Sequence, residues 1–205
     1  TAALLHILNH ALFKASLFFG AGAMITATGE KTIERLGGLI KLMPKTAILF
    51  LIASLAIAAL PPLNGFVSEW LLLQGILLTP ALPQWGLRLL APVAGIVFAL
   101  SAALGAACYV RVYGISFLGR ARTKSAEHAR EVDDWSLGAM LGLLIVCISI
   151  GLVPGLMIDA ISPVTSAGPG RVYTPAEKAI ISPLLQETKF INGRSEKLFY
   201  FVHDV

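Results

Sequence analysis

The sequence predicts an all-α membrane protein with about four transmembrane helices, the second one broken, followed by a polar C-terminal tail. Composition is the first ground: 56% of the 205 residues are hydrophobic, 14% are charged and the mean hydropathy is +0.78, whereas a soluble domain carries about 25% charged residues. Patterning is the second. Between residues 2 and 160 nearly all charges fall in three short stretches, and the apolar runs between them are too long for a soluble core. The third is an interruption, Leu60-Pro61-Pro62-Leu63-Asn64-Gly65, inside a run that is otherwise apolar.

The first span covers 1–28 and is closed by Gly29 and a polar stretch, Glu30 to Lys45. The next apolar stretch covers 46–79. As one helix its 34 residues would measure about 51 Å against a hydrocarbon core of about 30 Å. The break falls at 60–65, where two prolines withdraw backbone donors and Gly65 adds freedom. A third span covers 89–118, with small residues in its middle that permit close helix packing. A fourth covers 135–158, opening at an interfacial Trp135 and ending near Val153-Pro154-Gly155. The transmembrane region is thus 1–158. Residues 159–205 shift to Ser, Pro, Gly and scattered charge and form a tail without an assigned structure. The chain opens inside an apolar helix without an initiator Met, as expected of a fragment of a longer protein.

Orientation follows from loop charge. Lys31, Arg35, Lys41 and Lys45 follow the first span; Arg120, Arg122, Lys124 and Arg130 follow the third; Arg88 stands alone after the second. Basic loops stay inside, so the odd spans run from outside to inside, although five basic residues in the tail count against an external position for it. The same topology explains the net charge of +4 without nucleic acid. Cys108 and Cys147 lie in apolar helical segments and make neither a metal nor a disulfide pattern.

Ionisable residues inside spans cost about 2.5–3.5 kcal/mol each on insertion scales and are functional candidates by default. His6, His10 and Lys14 are spaced i, i+4, i+8, about 40° apart per step, and form a polar ladder roughly 12 Å long on one face. Neutral imidazole both donates and accepts, and a Lys among helices can exchange its proton. Two readings fit this ladder: a proton relay, or a packing network that fixes helix contacts. The second candidate is the broken span with Glu69, placed in the first turn after the break. Transporters put ion sites at such interruptions, where freed backbone groups line a cavity; the competing reading is an interfacial turn between two short spans. No phosphate loop, paired-Cys metal motif or nucleophile elbow is present.

His6-Ile-Leu-Asn-His10-Ala-Leu-Phe-Lys14-Ala-Ser-Leu-Phe-Phe-Gly-Ala-Gly22, followed by Leu36-Gly37-Gly38-Leu39 and Met43-Pro44, resembles the antiporter-like proton-conducting membrane subunits shared by respiratory complex I, Mrp sodium/proton antiporters and membrane-bound hydrogenases. Pro61-Pro62-Leu63-Asn64-Gly65-Phe66-Val67-Ser68-Glu69-Trp70 is similar to the broken helix of their second half-channel, in the flavour of the hydrogenase-4 component B and formate hydrogenlyase subunit 3 branch. The resemblance covers residues 1 to about 158. It implies that His6, His10 and Lys14 belong to a central hydrophilic axis, that Glu69 exchanges the proton with one aqueous side, and that Pro61, Pro62, Asn64 and Gly65 make the break. It also implies that this chain supplies only the last spans of a protein of about fourteen. The expected function is a proton-translocating subunit of a hydrogenase or NADH:quinone oxidoreductase-like complex, with a cation/proton antiporter subunit or a structural membrane anchor as alternatives. The expected partners are other membrane subunits, a soluble redox arm, the bilayer, and protons or sodium ions. No cofactor is expected in this chain, with iron–sulfur and nickel–iron centres in partner subunits, in a bacterial or archaeal cell membrane.

Overall fold

The computed structural model describes residues 2–77 and 85–166. They form seven helices: α1 (Ala2–Thr28), α2 (Pro44–Ile57), α3 (Asn64–Leu77), α4 (Trp85–Phe117), a short α5 (Lys124–Glu127), α6 (Asp134–Leu152) and α7 (Pro154–Ser166). Single 3-10 turns at Ile33–Arg35 and Leu39–Lys41 lie between α1 and α2. Three helices, α1, α4 and α6, are long and apolar enough to cross a membrane; α2 is a shorter apolar helix. The chain is a multi-pass membrane protein.

Helix α1 is the central post, packed against α2, α3 and α6. Lipid tails are as apolar as Leu, so close approach rather than hydrophobicity holds such helices together. The sequence supplies that approach at Gly20, where a Cβ would run into the Phe50 ring at 2.5 Å and meet Met140 Cε at 3.2 Å. Leu17, Met24, Met43, Phe50, Phe117 and Leu144 fill the space around it. Helix α4 stands outside. Its Phe117 ring meets Phe50 of α2 at 5.4 Å, with Tyr109, Val112 and Tyr113 packed against the same core cluster; it approaches α3 where Gly95 faces Ile76, while Leu89, Ile96 and Val110 point outward.

The loops after α1 and α4 meet at one end of the bundle, as the common direction of the two odd spans requires. Gly38 N–H donates to the Leu118 carbonyl at 2.9 Å, the Arg122 guanidinium to the Glu34 carbonyl at 3.1 Å and the Thr123 hydroxyl to the Arg35 carbonyl at 3.2 Å. The contact needs glycine: Gly37, at φ +139°, lies against the Arg120 carbonyl. The same end caps two helices. Asp133 accepts from Ser136 N–H at 3.0 Å and Ser136 Oγ at 2.7 Å, starting α6. Glu131 reaches from the second loop to the first turn of α2, accepting from Lys45 N–H at 2.9 Å, Thr46 N–H at 3.4 Å and the Thr46 hydroxyl.

Several boundaries differ from the sequence expectation, beginning with α2, which opens at Pro44 rather than 46. The interruption lies at residues 58–63 rather than 60–65, because Asn64 and Gly65 already open α3; Glu69 consequently sits in the second turn, not the first. The third span begins at Trp85, four residues before Leu89, and continues through Pro92. The fourth ends at Leu152 rather than 158, since Pro154 cannot donate to the preceding turn. The chain then resumes as α7 with Pro154 as its first residue, so residues 159–166, left without an assigned structure by the sequence, are helical. Residues 167–205 and the connection at 78–84 lie outside the described residues.

Candidate functional site

The break is a helix end followed at once by a helix start. α2 closes with paired bonds from Ala59 N–H to the Ala56 carbonyl, 3.2 Å, and from Leu60 N–H to the Leu55 carbonyl, 3.1 Å. This is a Schellman end whose left-handed residue is Ala59, at φ +53°. Glycine usually takes that place, because a Cβ there costs about 1–2 kcal/mol. The Pro61–Pro62 peptide is cis, and a turn from the Leu60 carbonyl to Leu63 N–H, 3.0 Å, delivers the chain into α3.

Two glycines clasp the break. A Cβ on Gly65 would strike the Ala56 carbonyl of α2, and one on Gly151 of α6 would strike the Pro62 carbonyl and approach Asn64 N at 2.8 Å. The end of α6 at Leu152 therefore lies beside the break between α2 and α3: two interrupted helical pairs, α2/α3 and α6/α7, adjoin. Leu5, Ile150 and Ile158, with Val67 and Leu71, close the apolar packing beyond them.

The polar ladder meets this junction. His6 Nδ1 lies 3.0 Å from Ser68 Oγ, and Asn9 Nδ2 donates to the Asn64 carbonyl at 2.9 Å. The Ser68 hydroxyl lies 3.1 Å from the Gly65 carbonyl and 3.5 Å from that of Asn64. Down the ladder, the His6 and His10 rings are 6.1 Å apart, and His10 meets Phe13 edge to face at 5.4 Å. Asn9 and Asn64 are fully buried. Asn9 Oδ1 and both polar atoms of the Asn64 side chain have no hydrogen bond of ordinary geometry, although the Cys147 thiol lies near enough to Asn64 to interact weakly.

The structure thus joins His6 to the break and sets His10 next on the same helix face. It does not bring Lys14 or Glu69 to a hydrogen-bond or ion-pair partner among the described residues. Glu69 is half-buried, one residue beyond Ser68 and about 100° further around the helix; Lys14 is half-buried and His10 is exposed. Of the break residues, Pro61 and Pro62 lie in the interruption, while Asn64 and Gly65 form the first turn of α3. Sequence reasoning missed Ser68 as the ladder's contact. A hydroxyl in the first turn or so after a helix break is the available signal, but only the α1–α3 register, 62 residues apart in sequence, places it opposite His6. Among the described residues no three His, Cys, Asp or Glu side chains gather as a metal site.

Residues 1–96 match the family described as NADH:quinone oxidoreductase/Mrp antiporter, transmembrane. The chain is 45% identical over 150 residues to hydrogenase-4 component B of Escherichia coli (strain K12), covering 73% of this chain and 22% of that protein. It is 37% identical over 182 residues to formate hydrogenlyase subunit 3 of the same organism, covering 89% and 29%. The chain therefore spans under a third of the length of these curated relatives. Among solved structures it resembles a chain of the membrane-bound sulfane sulfur reductase, an archaeal respiratory membrane complex, with TM-score 0.66, 27% identity and coverage of 78% of this chain and 25% of that one.

Proposed function

The chain belongs to the NADH:quinone oxidoreductase/Mrp antiporter transmembrane family, and we propose that its parent protein is a proton-translocating membrane subunit of a hydrogenase or NADH:quinone oxidoreductase-like complex in a bacterial or archaeal cell membrane. The observation that carries the proposal is the contact between ladder and break, His6 Nδ1 on Ser68 Oγ at 3.0 Å. A titratable relay ending on an interrupted helix is the arrangement that moves a charge through hydrocarbon, because the freed backbone and buried amides solvate what lipid cannot.

In this reading Lys14 takes and releases a proton, His10 and His6 carry it along α1, and Glu69 exchanges it with one aqueous side. Redox chemistry occurs elsewhere: the iron–sulfur and nickel–iron centres belong to a soluble redox arm, and their turnover shifts the charge near Lys14. The exposed His10 and half-buried Lys14 support the involvement of further membrane helices. A cation on a lipid-facing surface at this depth is costly, so another polar surface is expected to cover this side of α1.

The test is ion movement in vesicles holding the complete parent complex. Proton uptake that starts with the electron donor and stops when the donor is spent is the expected result. Proton movement driven by a sodium gradient alone, and indifferent to the donor, would replace this function with a sodium/proton antiporter.

A further inference from the structure

Ser68 is neither charged nor titratable in the physiological range, yet it is the group on which the ladder ends. Its hydroxyl has one hydrogen to give. That hydrogen has two carbonyls of its own helix within range, Gly65 at 3.1 Å and Asn64 at 3.5 Å, the ordinary back-bond of a serine in a helix. The Asn64 carbonyl already accepts from Asn9 Nδ2 at 2.9 Å, which leaves Gly65 as the better acceptor. With its hydrogen so committed, Ser68 Oγ presents lone pairs to His6 Nδ1 at 3.0 Å, and a neutral imidazole can meet them only by carrying its proton on Nδ1.

We propose that Ser68 is a positioning residue that holds neutral His6 as the Nδ1–H tautomer, leaving Nε2 bare to receive a proton from the ladder. The inference rests on the proton-relay reading for its purpose, though not for its geometry. The step balances without another reactant. A proton arriving at Nε2 makes the imidazolium, with both nitrogens protonated; Ser68 Oγ still accepts from Nδ1–H, so the bond survives the charge change. When Nε2 passes that proton on to the next acceptor of the relay, the ring regains its starting tautomer. Had Nδ1 been bare instead, Nε2 would carry hydrogen in the neutral state and could not accept from the ladder.

The surroundings hold the pair in register. The bond from Asn9 to the Asn64 carbonyl ties α1 to the first residue of α3, one turn from His6–Ser68. Ser68 and Asn9 are both fully buried, and Gly65 brings α3 against the Ala56 carbonyl. Ser68 thus cannot turn toward bulk water in place of His6.

The experiment is nitrogen NMR of the complete parent complex with 15N-labelled histidine, His6 identified by its loss in His6→Gln, at a pH where the ring is neutral. Wild type and Ser68→Thr, which keeps the hydroxyl, are expected to show Nδ1 protonated and Nε2 bare. Ser68→Ala is expected to move the tautomer ratio by about tenfold toward Nε2–H, the effect of one neutral hydrogen bond. The same tautomer in all three proteins, or Nε2–H in wild type, would overturn the proposal. Failure of the relay reading shows separately: proton pumping unchanged by Lys14→Ala would remove the purpose of the tautomer while leaving the NMR result intact.

Discussion

Glu69 and Asp133 show how differently two carboxylates are used in this chain. Glu69 lies half-buried beside the break with no ion partner among the described residues; a carboxylate so placed is expected to be used for proton exchange rather than for holding helices together. Glu69→Gln is near-isosteric, so the complex is expected to assemble at the wild-type level while proton uptake falls by about a hundredfold or more, as read by pH-dye uptake in vesicles matched for subunit content. Asp133 does structural work in water. The Ser136 hydroxyl, with backbone N–H donors behind it, holds its carboxyl below the ordinary carboxylate value. A depressed folded value stabilises the folded state above the unfolded pKa of about 3.9 and loses that stabilisation as pH falls through the lower folded one. Melting of the detergent-solubilised protein should therefore be insensitive to Asp133→Ala only in strongly acidic solution, with the difference from wild type reaching its full size above about pH 5. Both residues are visible in the sequence. Their different surroundings are not, because burial and hydrogen-bond partners come from which helices meet.

Elements were legible where a local rule decides them. The apolar runs, the polar loops and the Pro-Pro interruption each announce themselves in adjacent residues, and the structure moves the interruption by only two positions. The second interruption, at Val153, falls inside the 135–158 span that the sequence predicts to end near Val153-Pro154-Gly155. Pro is also the favoured first residue of a helix, and the apolar Leu156, Met157, Ile158 and Ile161 that follow are the signal for α7. Glu131 capping α2 was not legible at all, since it joins a loop residue to the first turn of a helix 85 and 86 residues away in sequence. Two predictions belong here. Gly65→Ala and Gly151→Ala each drive a Cβ into backbone at the break and should destabilise by about 1–3 kcal/mol; Gly20→Ala meets chiefly the Phe50 side chain, which can rotate away, and should cost less. Conversely Ala59→Gly should stabilise by about 1 kcal/mol by removing the left-handed Cβ penalty. Thermal unfolding of the purified protein in detergent checks all four.

At the scale of the whole molecule, α1 with its ladder is anchored to α3 by Asn9 and His6, α3 is joined to α2 through a tight turn, and α6 lies against that turn at Gly151. Among the described residues, no hydrogen bond or ion pair gives Lys14 or Glu69 another occupation. We propose that these two residues lie in an ion path completed by the rest of a larger complex. Redox-driven proton uptake into inverted membrane vesicles containing the full-length parent tests it most directly, with wild type compared to Lys14→Ala and Glu69→Gln at matched assembly and electron transfer. Both variants are expected to transfer electrons but lose proton uptake. Uptake at the wild-type rate in both would contradict the proposal, and the ladder and break would then be a packing device of a membrane anchor.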